Sequence, residues 1–215
     1  MKKVRKMLFW LSVSFFAAFA LWTAIVRFVD VGAIGPRGSE VGLAALNGFF
    51  HRLIGSDMIL YDITDWLGLV PIAIAFGFAV FGLLQWIKRK SILKVDKSII
   101  ALGVFYIAVF GSYVLFEFLT VNYRPVLING YLEASYPSST TLLVLCVIPT
   151  AMMQLNARIR NKAARLTVLA IGIAFVLFMV IGRVLSGVHW ITDIVGGILL
   201  SGGLVFAYAA MFNKK

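Results

Sequence analysis

The sequence predicts an all-α, polytopic membrane protein: a six-transmembrane-helix bundle forming one domain over residues 1–215, with a short interfacial helix in the first outer loop. Three observations predict it. Of the 215 residues, 61% are hydrophobic and 13% charged, with a mean hydropathy of +0.97, far more apolar than a soluble domain. Six apolar runs come close to the roughly 20 residues a helix needs to cross hydrocarbon. Within those runs the apolar residues are continuous and do not alternate, which argues against a closed β-barrel.

The runs are Met7–Val29, Leu67–Ile87, Ser98–Leu119, Ser138–Leu155, Leu166–Leu185 and Ile191–Met211. The first has a basic start like a signal peptide, but it outlasts the roughly 7–15 residues of such an apolar region and no A-x-A-like site follows it, so it reads as a retained helix. The segment Asp30–Trp66 opens with a Gly35–Pro36 turn and then carries apolar residues near helical spacing from Val41 to Leu53, the pattern of an amphipathic interfacial helix. Trp10, Trp66, Trp86 and Trp190 fall near helix ends, as interfacial anchors do. The one cysteine, Cys146, lies inside the fourth run, implying packing as a small apolar residue and no disulfide or cysteine-based metal site.

The net charge of +11 is distributed by topology. Lys2, Lys3, Arg5 and Lys6, the Lys88–Lys97 loop, the Arg158–Arg165 loop, and Lys214 with Lys215 hold fifteen of the 20 basic residues and one acid, Asp96. Six crossings put all four segments on one side. That is the positive-inside pattern, so both termini are expected in the cytoplasm. The charge then faces anionic membrane lipid, and nucleic acid is not an expected partner.

The polar residues of the other side gather into a candidate site. In "GRVLSGVHWITDIVGG", His189 and Asp193 are four residues apart and share a helix face if the sixth helix starts near Trp190. A carboxylate on one ring nitrogen would fix the tautomer and leave the other nitrogen as a nucleophile or base. An interfacial polar pair would explain these two residues taken alone. Arg124 and Arg183 lie on the same side, and paired guanidinium forks suit a phosphoryl group, where lone arginines would simply snorkel. Ser138, Ser139 and Thr140 follow Pro137 at a helix N-terminus, a natural anion site or an ordinary N-cap.

The order Arg-Pro, then Pro-Ser-x-x, then Arg-x5-His-x3-Asp resembles the type 2 phosphatidic acid phosphatase (PAP2) superfamily of membrane lipid phosphatases. The motifs run from Glu117 to Asp193, and "RVLSGVHWITD" matches the third residue for residue. The resemblance implies that His189 attacks phosphorus to form a phosphohistidine and that Asp193 holds it. Arg124, Arg183, Ser138 and backbone amides would bind the phosphoryl oxygens, without metal ion or other cofactor. The implied partner is a lipid phosphate or diphosphate at the extracytoplasmic face.

Four positions depart from the family pattern. Glu117 stands where the first motif has lysine, Gly182 where the third has serine, and "PSST" replaces Pro-Ser-Gly-His, so Thr140 occupies the place of the histidine general acid. Threonine cannot protonate a leaving group at neutral pH. His51, Glu133, Tyr123 and Tyr136 are the candidate substitutes, and the sequence does not choose among them. A diphosphate, whose leaving group is a weakly basic phosphate, tolerates this loss better than a monoester. A polyprenyl diphosphate is therefore the favoured substrate, with phosphatidic acid and phosphatidylglycerol phosphate open. A PAP2-like bundle that binds lipid phosphate without turnover is the alternative class, and a transporter is a weaker third, since no repeat or broken-helix pair is visible.

Overall fold

Apolar runs of this length can satisfy their backbone in a bilayer only as helices, and helices are what they form. The computed structural model describes residues 2–212, which leaves Lys214 and Lys215 outside the described residues. Eight α-helices follow one another: α1 (Lys2–Phe28), α2 (Ala44–Ile54), α3 (Met58–Leu67), α4 (Leu69–Arg89), α5 (Lys97–Phe118), α6 (Ser139–Asn156), α7 (Lys162–Leu185) and α8 (Ile191–Phe212). With α3 and α4 taken together, six helical stretches are long and apolar enough to cross a membrane. The chain is a multi-pass membrane protein.

The second span begins earlier than the hydropathy of Leu67–Ile87 predicts. Asp57 caps α3, its Oδ1 accepting from the Leu60 amide at 3.0 Å. Asp62 and Asp65 dilute the apolar pattern over this turn without preventing the helix, and α3 runs into α4 with only Gly68 between them. The predicted short helix of the first connection is α2, with Leu46, Phe49 and Leu53 exposed and Ala44 and Asn47 buried.

α6 and α8 form the centre of the bundle. Leu142 and Cys146 of α6, Leu200 and Tyr208 of α8, Leu102, Phe105 and Val109 of α5, and Phe19 and Val26 of α1 make one buried cluster. Cys146 is fully buried there, as its position in an apolar run implied. α1 packs along α8, so the two ends of the sequence are neighbours. Ser12 donates to the Gly203 carbonyl at 2.8 Å, and the Trp22 indole to the Thr192 carbonyl at 3.0 Å. α4 and α5 turn apolar faces outward, including Ile72, Phe76, Leu83, Val104, Ile107 and Phe110, as lipid-facing helices do.

The two ends of the bundle differ in chemistry. At one end the basic loops converge on Asp96, which pairs with Arg89 at 2.9 Å and Arg158 at 3.8 Å and accepts from Gln85 at 2.9 Å. At the other end the connections α1–α3, α5–α6 and α7–α8 close over the site. Trp190 belongs to this closure. It is buried, its indole donating to the Tyr123 carbonyl at 2.7 Å. It therefore braces the connections against one another, in place of the interfacial anchor expected of it.

Candidate active site

The α5–α6 connection is a small hairpin. Asn129 and Gly130 both have positive φ, 50° and 81°, the backbone of a two-residue turn that Asn-Gly favours. The turn folds the chain back so that Tyr123 bridges Ala134 and Ile128 bridges Tyr131. Arg37 of the first connection donates to the Gly130 carbonyl at 3.0 Å and holds the tip. The hairpin sets Arg124 opposite Glu133: the Arg124 amide donates to the Glu133 carbonyl at 3.0 Å, and Arg124 Nε lies 3.1 Å from Glu133 Oε2.

Arg183 comes from the last turn of α7 and is almost wholly buried. Burying a guanidinium is costly unless it is surrounded by partners. Here α3 supplies them. Thr64 Oγ1 accepts from Nη1 at 3.3 Å, Asp65 Oδ1 lies at 3.7 Å, and the Tyr61 ring sits under the guanidinium with its centroid 5.0 Å from Cζ. The same ring lies 5.9 Å from Arg124 Cζ, so one tyrosine backs both arginines.

His189 is the point on which the two arginines meet. Arg124 Nη1 and Arg183 Nη2 are each 3.3 Å from its Nε2. A guanidinium can only donate, so Nε2 carries the lone pair and the hydrogen-bond network assigns the ring proton to Nδ1. Nδ1 faces Asp193, with Oδ2 at 3.7 Å, an electrostatic contact longer than a hydrogen bond. Burial first, then the charges of Arg124 and Arg183, hold the imidazole well below its ordinary value of 6.5. The ring is neutral across the physiological range, with an unshared pair pointing between two cations.

Asp193 is itself held. Its Oδ2 accepts from the Trp190 amide at 3.0 Å and its Oδ1 from Asn122 at 3.3 Å. Asn122 Oδ1 accepts from the Gly42 amide at 3.2 Å, and Asn47 links the Gly42 carbonyl (2.7 Å) to the Thr192 hydroxyl (3.0 Å). Gly187 permits a close crossing below the histidine. At φ 62° an added Cβ would lie 1.8 Å from the Gly55 carbonyl oxygen, beside the 2.9 Å bond from the Asp57 amide to the Ser186 carbonyl.

A cavity of about 520 Å³ opens on His189 and Arg124, and its wall includes Ser139, Glu117, Glu133, Tyr113, Tyr123 and Tyr136. Of the three hydroxyl residues predicted for the anion site, Ser139 lines this cavity. Ser138 and Thr140 do not. The Ser138 amide is taken by the Asp193 carbonyl at 3.0 Å and its Oγ accepts from Thr141 at 3.0 Å, fastening α6 to α8. Thr140 is buried with its methyl group turned toward Gly68. His51 is turned away as well, edge-on to Trp190 at 5.4 Å between ring centroids. Tyr61, Thr64, Asp65 and Asn122 are site residues that the sequence reading did not single out.

Comparison with known protein families gave no match, and no curated protein matched the chain. Among solved structures, the chain is similar to the crystal structure of a transmembrane PAP2-type phosphatidylglycerolphosphate phosphatase from Bacillus subtilis. Identity is 21%, the alignment covers 95% of this chain and 97% of that one, and the TM-score is 0.58. At that identity the likeness concerns architecture: the chain has the fold of a PAP2-type membrane phosphatase.

Proposed function

We propose that the protein is a metal-independent lipid phosphatase that works through a phosphohistidine on His189 at the extracytoplasmic end of the bundle. The observation that carries this reading is the convergence of two guanidinium groups, each 3.3 Å away, on the unprotonated Nε2 of a buried histidine. A nucleophile in that arrangement would sit where a phosphoryl group's oxygens could be bound and its developing charge stabilised. Nε2 would attack phosphorus as the bond to the leaving oxygen breaks. The ring, still protonated at Nδ1, would become cationic beside Asp193. The basic loops at the opposite end of the bundle support an extracytoplasmic site by the positive-inside rule.

The substrate class we favour is a lipid diphosphate, with a polyprenyl chain as the first example to test. Thr140 cannot protonate a leaving group, and it lies outside the cavity wall. Expelling a lipid monophosphate from a diphosphate needs that proton far less than expelling an alkoxide. The structurally similar B. subtilis protein is named for phosphatidylglycerolphosphate, which makes that lipid the natural comparison substrate.

The test is purified protein in detergent with EDTA, offered polyprenyl diphosphate, phosphatidylglycerol phosphate and phosphatidic acid. Phosphate release that is fastest from the diphosphate and falls to background in His189→Ala is expected. Tight retention of lipid phosphate with no release would overturn the enzyme reading in favour of a binding protein, a role that Thr140 in place of a general acid would suit. Release that persists in His189→Ala would remove the phosphohistidine.

A further inference from the structure

A phosphohistidine must be hydrolysed as well as formed, and the second step needs a base to take a proton from water. Thr140 is no base, and it lies outside the cavity. Asp193 is fully buried and bound by Trp190 and Asn122, with no route to incoming water. His51 packs edge-on to Trp190 and is not on the wall of this cavity. The Tyr136 hydroxyl is engaged by Thr23 at 2.7 Å, and the other tyrosines on the cavity wall offer only phenol oxygens, which are poor bases. Two carboxylates remain on the wall, Glu117 and Glu133. Glu117 sits on the last turn of α5, and no ion pair is recorded for it among the described residues. Glu133 is fixed twice to Arg124, through the backbone at 3.0 Å and through the side chain at 3.1 Å.

We infer that Glu133 is the catalytic base that activates water to clear the phosphoryl group from His189; this rests on the phosphohistidine reading above. The geometry that carries it is one shared guanidinium. Arg124 presents Nη1 to His189 at 3.3 Å and Nε to Glu133 at 3.1 Å. The nucleophile and the carboxylate are therefore separated by the width of one planar group and two contacts. A phosphoryl group held by Arg124 lies beside both. Glu133 is also 42% exposed, so it meets water and can return the proton to solvent, which the buried His189–Asp193 pair cannot.

The step balances simply. Water oxygen bonds to phosphorus, its proton moves to the Glu133 carboxylate, and the N–P bond breaks with its electron pair returning to Nε2. Inorganic phosphate leaves, and Glu133 loses the proton to bulk water. Because the residue acts here as a proton acceptor and not as a donor to the leaving group, it suits a substrate whose leaving group needs no acid. It thereby deepens the diphosphate assignment.

The experiment is rapid mixing of full-length protein in detergent with a polyprenyl diphosphate labelled in its terminal phosphate. Wild type should release lipid monophosphate and phosphate together at steady state. Glu133→Gln should give a burst of about one lipid monophosphate per protein at near wild-type rate, then slow turnover, with a base-stable, acid-labile label accumulating on the chain. Loss of a general base predicts phosphate release roughly 10²–10⁴-fold slower. Formate added to Glu133→Ala should restore phosphate release without changing the burst. Equal slowing of burst and steady state, a change confined to KM, or no rescue by formate would show Glu133 to be only a brace for Arg124 and would overturn the inference. If wild type itself turns over without any His189-dependent label, the phosphohistidine reading falls first, and the two failures are told apart.

Discussion

Arg183→Lys tests the site most directly, because it keeps the charge and removes the geometry. The guanidinium reaches three partners at once: His189 Nε2 at 3.3 Å, Thr64 Oγ1 at 3.3 Å and Asp65 at 3.7 Å, with the Tyr61 ring beneath. A lysine ammonium is a point charge on a flexible stem and cannot span the distance from Thr64 to the histidine pocket. One charge-assisted hydrogen bond to the phosphoryl group is then lost, worth about 1.5–3 kcal/mol. That corresponds to a fall of roughly 10- to 150-fold in kcat/KM, at 1.36 kcal/mol per factor of ten. The assay is phosphate release from a lipid diphosphate in detergent, alongside fluorescence-detected thermal unfolding. Activity within about threefold of wild type would refute the argument, since it would mean that a point charge suffices. A double variant with Arg124→Lys should lose less than the product of the single losses, because in the proposed mechanism both groups would bind the same oxygens.

Other expectations follow from the same geometry. His189 is held well below 6.5 by burial, Arg124 and Arg183, so kcat/KM should show no acid limb near 6.5; Arg124→Gln removes one of those charges and should move the limb upward toward it. The depressed folded-state value also means that stability from neutral His189 is present above 6.5 and is lost as pH falls toward the folded value, a trend that melting temperatures at several pH values would check. Gly187→Ala combines a φ of 62° with a Cβ 1.8 Å from the Gly55 carbonyl oxygen and should cost at least about 1–2 kcal/mol, or roughly 2–8 °C in Tm; an unchanged Tm would deny the close crossing. For sidedness, an impermeant thiol reagent should label Tyr131→Cys in intact cells but not Arg160→Cys, and the reverse result would put the site in the cytoplasm.

The spans were legible because hydrophobicity is a local property of the chain. The pair His189 and Asp193 was legible from its four-residue spacing, although α8 starts at Ile191 and His189 precedes it, so the contact is made from the connection and not along one helix face. The Asn129–Gly130 turn is equally local, a hairpin signal in its own right, yet it carries no motif residue and forms no part of the sequence reading. What the local pattern could not contain is the set of partners drawn from afar. Asn122 meets Asp193 across 71 positions, and Thr64 meets Arg183 across 119. The start of α3 was hidden by three aspartates that hydropathy counts against a span, although one of them caps it. Trp190 illustrates the opposite error, since a tryptophan at a helix end looks the same in sequence whether it faces lipid or braces a site. Thr140 matched a motif position in spacing while its side chain turned toward α3–α4.

The pairing of α1 with α8 bears on how the chain is made. α1 is synthesised well before α8, and Ser12 and Trp22 find their partners 191 and 170 positions later. At translation speeds of about 5–20 residues per second, that is a wait of roughly ten to forty seconds. Through that interval α1 must persist in the bilayer without α8, its hydroxyl groups satisfied by its own carbonyls. Thr23 shows the means, donating to the Phe19 carbonyl at 2.8 Å one turn back. The site end, braced by Trp22, Asn47 and Thr192, can close only when the ribosome has delivered α8, so a chain cut short before α8 would be membrane-inserted but without its candidate site.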